Sequence, residues 1–230
     1  AFVGGYIRDL LIKKFHSNYE LKTIDYDVII EGSSISLARY IKKNIKNVEI
    51  CLIKEFELYN TVEINVDNIK IDIASARKEK YLAPGLNPTV FDSSIEDDLK
   101  RRDFSINSIA YEISLKKIFD PFDGITHIKK KELHLLHKNS IKDDPSRILR
   151  CSKYATRFNF KISKDSLHQT KTVINSWPWK YSKNNYGFKF PPGIGIRIRM
   201  ELAEIIKYDN LAEIIRTLHE WEVLSLLNGN

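Results

Sequence analysis

The chain's 230 residues, 43% of them hydrophobic and 29% charged, have the length and composition of an ordinary soluble globular protein of one large domain or two small ones. No apolar run is long enough to cross a bilayer, and no signal-peptide pattern opens the sequence. A net charge of +7, with Lys dominant, suits an anionic partner and equally a solvated basic surface. Cys51 and Cys151 lie far apart with no CxxC spacing and read as reduced core residues of a cytoplasmic protein. The six His do not cluster at metal spacing, which argues against zinc. The sequence opens at Ala1 in mid-strand and its only Met is Met200, so it reads as a piece truncated at both ends.

Ala1-Phe2-Val3 reads as the end of a strand, and Gly4-Gly5 as a tight turn into a helix from Tyr6 to about Lys14, with Ile7, Leu10 and Leu11 on one face. Glycines before a helix N-terminus let backbone N–H groups approach an anion, and Arg8 adds a charged fork for phosphate. Thr23 to Ile30 holds Asp25 and Asp27 inside a β-branched, apolar run. On a strand the two carboxylates project side by side. Their repulsion is relieved by a cation, and hard oxygen ligands suit Mg²⁺. The same spacing also suits a strand with two solvated Asp.

A helix is expected from Ser34 to about Lys46, then strands at Val48–Leu52 and Thr61–Val66. Asp67-Asn68 reads as a hairpin turn into Ile69–Ala74. Asp72, flanked there by β-branched residues, is either a third carboxylate facing Asp25 and Asp27 or a strand-end cap. Ser75 to Glu96 has no clean period and reads as a long loop. Ser94 to Ala110 returns to helix, with Arg102, Asp103 and Asn107 near one face. Short strands are expected at Leu115–Phe119 and Leu133–Leu136, around a turn at Asp120-Pro121-Phe122-Asp123-Gly124.

A second stretch of chemistry starts at Asp143. Asp144 is a natural N-cap and Pro145 a natural first helical residue. Arg147 and Arg150 then stand one turn apart with Lys153 next, over an apolar stripe of Ile148, Cys151, Ala155 and Phe158. Helices are expected at about Lys164–Ser176, Ile194–Lys207 and Asn210–Leu227. An aromatic connector, Trp177-Pro178-Trp179 to Phe190-Pro191-Pro192-Gly193, interrupts them; its rings suit subdomain packing or base stacking.

Six pieces in this order resemble the class II tRNA nucleotidyltransferase and bacterial poly(A) polymerase family. They are Val3-Gly4-Gly5-Tyr6-Ile7-Arg8-Asp9, Asp25-Tyr26-Asp27, Ile71-Asp72-Ile73-Ala74-Ser75-Ala76-Arg77, Arg101-Arg102-Asp103-Phe104-Ser105-Ile106-Asn107, Asp120-Pro121-Phe122-Asp123-Gly124 and Asp143-Asp144-Pro145-Ser146-Arg147-Ile148-Leu149-Arg150. The resemblance implies an α+β fold: a polymerase-β-like nucleotidyltransferase head of mixed sheet with helices at 1–139, then an all-helical neck and start of body at 140–230. It implies template-independent addition of C, A or both to the tRNA 3′ end from CTP and ATP, with pyrophosphate released and Mg²⁺ as cofactor. Asp25 and Asp27 are then the metal ligands and, with Asp72, the catalytic carboxylates. Gly4, Gly5 and Arg8 cradle the triphosphate, Arg102, Asp103 and Asn107 take the nucleotide near its ribose, and Asp144, Arg147 and Arg150 read the base.

That last assignment has a physical basis. A carboxylate accepts and a guanidinium donates, which complements the amino donor and ring acceptor that cytosine and adenine share. Uracil and guanine present a carbonyl where the amino group should be, leaving the carboxylate unpaired. The chain departs from the family at Asp143, where Glu is common, and at Lys153, where a third Arg is common. The loop between Arg77 and Arg101 is of ordinary family length, unlike the shortened one of a member adding only C. Lys54-Glu55-Phe56-Glu57-Leu58 lacks the Arg-Arg-Phe cluster of poly(A) polymerases. The rival readings are an A-adding specialist, a poly(A) polymerase, a small-molecule nucleotidyltransferase and a non-catalytic RNA-binding module; the oligomeric state stays open.

Overall fold

The structure, a computed structural model, describes residues 1–21, 25–176 and 192–227, the side chains of Pro192 and Gly193 excepted. Thr23, Ile24, the aromatic connector at 177–191 and the last three residues lie outside the described residues. Two compact units make up the chain: residues 1–79 with 90–129, and residues 80–89 with 130–230. The division falls before the boundary read near Asn139, and the middle of the 75–96 stretch goes with the second unit.

The first unit carries β1 (Phe2–Val3), α1 (Gly4–Phe15), β2 (Tyr26–Ile30), α2 (Ser34–Asn44), β3 (Ile50–Phe56), β4 (Thr61–Val66) and β5 (Ile69–Ser75). After β6 (Arg77–Lys80) and β7 (Thr89–Asp92), which pair with each other, come α3 (Ile95–Lys100), β8 (Ala110–Glu112), β9 (Lys117–Phe119) and α4 (Gly124–Lys130). Seven strands form one sheet in the order β3-β4-β5-β2-β1-β8-β9. β2 and β5 run parallel and the other pairings are antiparallel, so the sheet is mixed. Asp67 and Asn68, at φ 49° and 67°, make the two-residue turn between β4 and β5 that their sequence announced.

Strand alternation sorts this sheet into two faces. Val28, Ile30, Ile71 and Ile73 pack with Val62, Ile64 and Ala38 of α2. Ile29 and Ala74 turn the other way, into a cluster with Val3, Leu99, Ala110 and Phe119. Residues two apart share a face, so Asp27 and Asp72 lie on the Leu99 side, where α3 packs.

Several expected elements come out differently. The helix read from Ser94 to Ala110 stops at Lys100, because Phe104 is extended (φ −130°, ψ 149°) and opens a 3-10 turn at Ser105–Asn107. The Asp103 carboxylate accepts from the Phe104 N–H at 2.8 Å and holds that break. The expected long loop contains β6 and β7. The expected Asp120–Gly124 turn also caps a helix: Asp120 accepts from the N–H groups of Gly124 and Ile125, and α4 follows. A Cβ at Gly124 would run into the Ser105 carbonyl, so glycine lets this turn close on the 3-10 turn. Cys151 is buried as expected, whereas Cys51 is exposed on β3.

In the second unit β10 (Glu132–Leu133) pairs in parallel with β11 (Lys161–Ile162), a strand the sequence reading missed. Helices α5 (Ser140–Asp143), α6 (Ser146–Phe158), α7 (Lys164–Ile174), α8 (Pro192–Ile206) and α9 (Leu211–Glu220) supply the rest. The α6 stripe of Ile148, Cys151, Ala155 and Phe158 is buried, and α6 packs on α8 and α9. The last expected helix is split, since Glu222 at φ 59° separates α9 from a 3-10 turn at Leu224–Leu227. Among the described residues no helix is long and apolar enough to cross a membrane.

Candidate active site

The parallel pairing of β2 with β5 puts Asp27 directly opposite Asp72, and β4 continues the row with Glu63 opposite Asp72. On its other side Asp27 is opposite Val3, the residue before Gly4. Asp25 lies just before β2 and is exposed. Four carboxylates thus gather along two neighbouring positions of the sheet, and the electrostatics register the crowding. Burial pushes the Asp27 carboxyl above the usual range; Asp72 and Asp25 push the same way and Arg102 opposes them. Burial likewise raises Asp72, with Glu63 and Asp25 adding to it and Lys70 opposing. Lys70 is 2.9 Å from Glu63 at the outer end of the row.

Gly4, at φ 71°, has a backbone conformation that L side chains rarely adopt. A Cβ there would stand 2.7 Å from the Asp27 Oδ2 and 3.5 Å from the Arg102 Nη1. Glycine is therefore what admits the carboxylate and the guanidinium to the same spot above the start of α1. The donor set at this spot is oxygen only, carboxylates held close at a cost that a cation would relieve. Among the described residues no group of three or more His, Cys, Asp or Glu is placed to hold a metal ion by itself. Mg²⁺ fits such an open, two-carboxylate arrangement, since it commonly keeps positions for water and phosphate.

Around this spot the two arginines of the 101–107 motif take different paths. Arg102 donates through Nη1 to the Asn107 carbonyl at 3.3 Å and through Nη2 to Asp98 Oδ1 at 3.2 Å. Among the described residues its buried Nε has no hydrogen-bond partner. Arg101 turns to the other carboxylate oxygen, with Nε and Nη2 at 3.0 and 2.7 Å from Asp98 Oδ2. Asp98 also accepts from the Arg77 N–H, and Glu79 takes both Arg101 and Arg77. Asp98 is wholly buried.

A second chain of polar contacts ties α1 to the 3-10 turn. Arg8, itself buried, donates Nε to Asp9 at 2.6 Å and Nη1 to Asn107 Oδ1 at 2.7 Å. Asn107 Nδ2 passes on to Asp103 at 2.7 Å, and the Tyr19 hydroxyl donates to Asp9 at 3.2 Å. Gly5 lies beside this chain: a Cβ there would stand 3.4 Å from Arg8 Nη2. The expected triphosphate and ribose residues are thus joined by hydrogen bonds rather than lined up on one helix face.

Asp144, Arg147 and Arg150 belong to the second unit. Asp144 is extended and accepts from both the N–H and the hydroxyl of Ser146, the first residue of α6. The N-cap position thus falls on Pro145, one residue later than expected, with Asp144 bonding just ahead of it. It also faces Arg150 at 3.7 Å and Arg197 of α8 at 3.2 Å. Arg197 reaches on to the Gly85 carbonyl and Asn87, and Glu201, one turn along α8, takes Arg150 and Lys153. Arg147 is buried and donates to the Ser140 hydroxyl at 2.6 Å, with His137 Nε2 at 3.4 Å. Sequence reasoning missed Asp98, Glu79, Arg197 and Glu201. The spacing of Arg197 and Glu201, four apart on one helix face, was their available signal.

Residues 1–134 match the family described as the poly A polymerase head domain, and the chain belongs to that family. It is 32% identical over 226 residues to an A-adding tRNA nucleotidyltransferase of Aquifex aeolicus, covering 96% of this chain and 25% of that protein. It is 37% identical over 164 residues to another of that name from Halalkalibacterium halodurans, covering 70% of this chain and 36% of that protein. Among solved structures, an apo CCA-adding enzyme matches at TM-score 0.78 and 29% identity, over 98% of this chain and 49% of that one. A tRNA nucleotidyltransferase complexed with a primer tRNA and an incoming ATP analogue matches at TM-score 0.74 and 27% identity, over all of this chain and 60% of that one. The chain therefore has the α+β head-and-neck fold of these enzymes, and it spans between a quarter and a little over a third of the length of the two curated relatives.

Proposed function

We propose that this protein is a Mg²⁺-dependent RNA nucleotidyltransferase that adds C, A or both to the 3′ end of tRNA from CTP and ATP. The carrying observation is the Asp27–Asp72 pair, in register on adjacent strands beside Gly4 and Arg102. In the reaction the RNA 3′-hydroxyl attacks the α-phosphorus of the nucleotide, the bond to the β-phosphate oxygen breaks, and pyrophosphate leaves. Asp25 and Asp27 would hold the metal, which when bound favours the ionised hydroxyl and offsets charge on the transferring phosphate. Asp72, its carboxyl raised by burial and by Glu63, is the carboxylate suited to accept the hydroxyl proton. Arg102 offers its buried Nε to a phosphate or ribose oxygen, and Gly4, Gly5 and Arg8 shape the start of α1 for the triphosphate. Asp103 and Asn107 line the ribose side. Asp144, Arg147 and Arg150 select C and A by the donor–acceptor argument above. Such a reaction suits the cytoplasm, where tRNA is processed.

Addition of A alone is a second reading, favoured by the names of the two curated relatives described above. One assay separates the outcomes: labelled CTP or ATP with Mg²⁺ and three acceptors, tRNA lacking CCA, tRNA ending in CC, and an unstructured RNA. CCA completed on the first and nothing further supports full CCA addition. A single A on the CC-ended tRNA alone identifies an A-adding specialist. Long A tails on the unstructured RNA point to a poly(A) polymerase, and transfer without RNA to a small-molecule enzyme. RNA binding with no transfer sinks the enzyme reading.

A further inference from the structure

We infer that Asp98 is a positioning residue that keeps Arg102 away from Asp27 and so leaves Asp27 available to a divalent cation. This rests on the reading of Asp27 as a metal ligand. The geometry is specific. Arg102 Nη1 and Asp27 Oδ2 both border the point where a Gly4 Cβ would be, yet among the described residues Arg102 is ion-paired to Asp98 and not to Asp27. A guanidinium so near a half-desolvated carboxylate would ordinarily form a fork with it.

Two contacts hold it back: Nη2 on Asp98 Oδ1 and Nη1 on the Asn107 carbonyl. Asp98 has no solvent exposure, so its charge is little screened and its hold is strong. Its other oxygen is occupied by Arg101, which fixes the carboxylate plane and aims Oδ1 at Arg102. Without Asp98, Arg102 is left beside Asp27, whose charge it already influences, and an Arg102–Asp27 pair would compete with the cation for the same oxygens.

The test is Mn²⁺ binding to the purified protein without nucleotide, followed by electron paramagnetic resonance of the free ion. Asp98→Asn is expected to weaken Mn²⁺ binding by roughly three- to tenfold. Adding Arg102→Gln to it is expected to restore binding. Glu79→Gln removes a neighbouring carboxylate that holds Arg101 and Arg77 but not Arg102, and is expected to leave binding within about twofold of wild type. Should Asp98→Asn fail to fold, Asp98→Asn with Arg101→Gln removes a cation along with the anion and still frees Arg102. It is expected to bind Mn²⁺ as weakly as predicted for Asp98→Asn.

Equal losses in Glu79→Gln and Asp98→Asn, or no recovery on adding Arg102→Gln, would overturn the inference. If wild type binds Mn²⁺, Asp27→Asn abolishes it and Asp98→Asn leaves it unchanged, the inference alone fails. If Asp27→Asn leaves Mn²⁺ binding intact, the metal-site reading fails first.

Discussion

In the sheet of the first unit, Asp27 and Asp72 stand side by side, and among the described residues Asp27 has no ion-pair partner; both carboxyls are driven up in pKa. On α6 of the second unit, Asp144 meets Ser146, Arg150 and Arg197, while Arg147 is held by Ser140. The acidic row carries a crowding of carboxylates that a cation would relieve. The α6 groups already hold protein partners, so under the proposed function a base would gain there by replacing contacts already made. Under that same function, the first region would serve chemistry through unrelieved repulsion and the second would serve discrimination through exchange of hydrogen bonds.

The largest expected effect breaks the first half of that comparison. Asp27→Asn is expected to lower nucleotide transfer by at least about 10³-fold, measured as single-turnover addition to tRNA. A loss under tenfold would show that the acidic row is not the reacting centre. Next comes Asp144→Ala, expected to cut preference for CTP and ATP over UTP and GTP by about 10²-fold. The measurement is competition among the four nucleotides. Arg197→Gln removes only an outer partner of Asp144 and is expected to cost selection about three- to tenfold, with total transfer less affected.

The smallest effect sharpens the contrast from the stability side. Because folding raises the Asp27 carboxyl, the charged form is disfavoured in the native state. Its protonated form is the one the fold favours, so the stability it contributes is full below the ordinary carboxylate pKa and lost as pH rises through the raised value. Asp27→Asn should therefore melt above metal-free wild type by about 2–4 °C at neutral pH. That gap should vanish on acidification below about pH 4, and calorimetry in chelator reads both. Asp144→Ala, which removes a partnered carboxylate, should melt lower than wild type.

The acidic row was legible because strand alternation is a rigid rule: two Asp two apart within an apolar, β-branched run share a face whatever packs around them. Asp72 stayed open between a third carboxylate and a strand-end cap, since its pairing opposite Asp27 across about forty-five positions in sequence leaves no local trace. The 94–110 stretch was misread because its apolar spacing fits a helix. The Asp103 side chain competes successfully for the Phe104 N–H and ends the helical path. Asp98 was passed over because an acid in the first turn of a helix ordinarily faces water and the helix dipole. Here the turn is buried against the sheet. Arg197 stands about fifty residues beyond Asp144 on a helix with no chemical motif of its own, so only packing of α8 on α6 reveals it.

The parallel pairing of β2 with β5 also sets an order of assembly. β3, β4 and β5 are joined by short turns and can form as a local antiparallel meander, but β2 reaches β5 only after α2 and two further strands have been accommodated between them. Non-local pairings of this kind come late, because loop closure must precede their reward. Asp27 and Asp72 thus meet near the end of folding of this unit. A partly folded chain carries the carboxylates apart, and the pair proposed to face the divalent ion comes together only with the completed sheet.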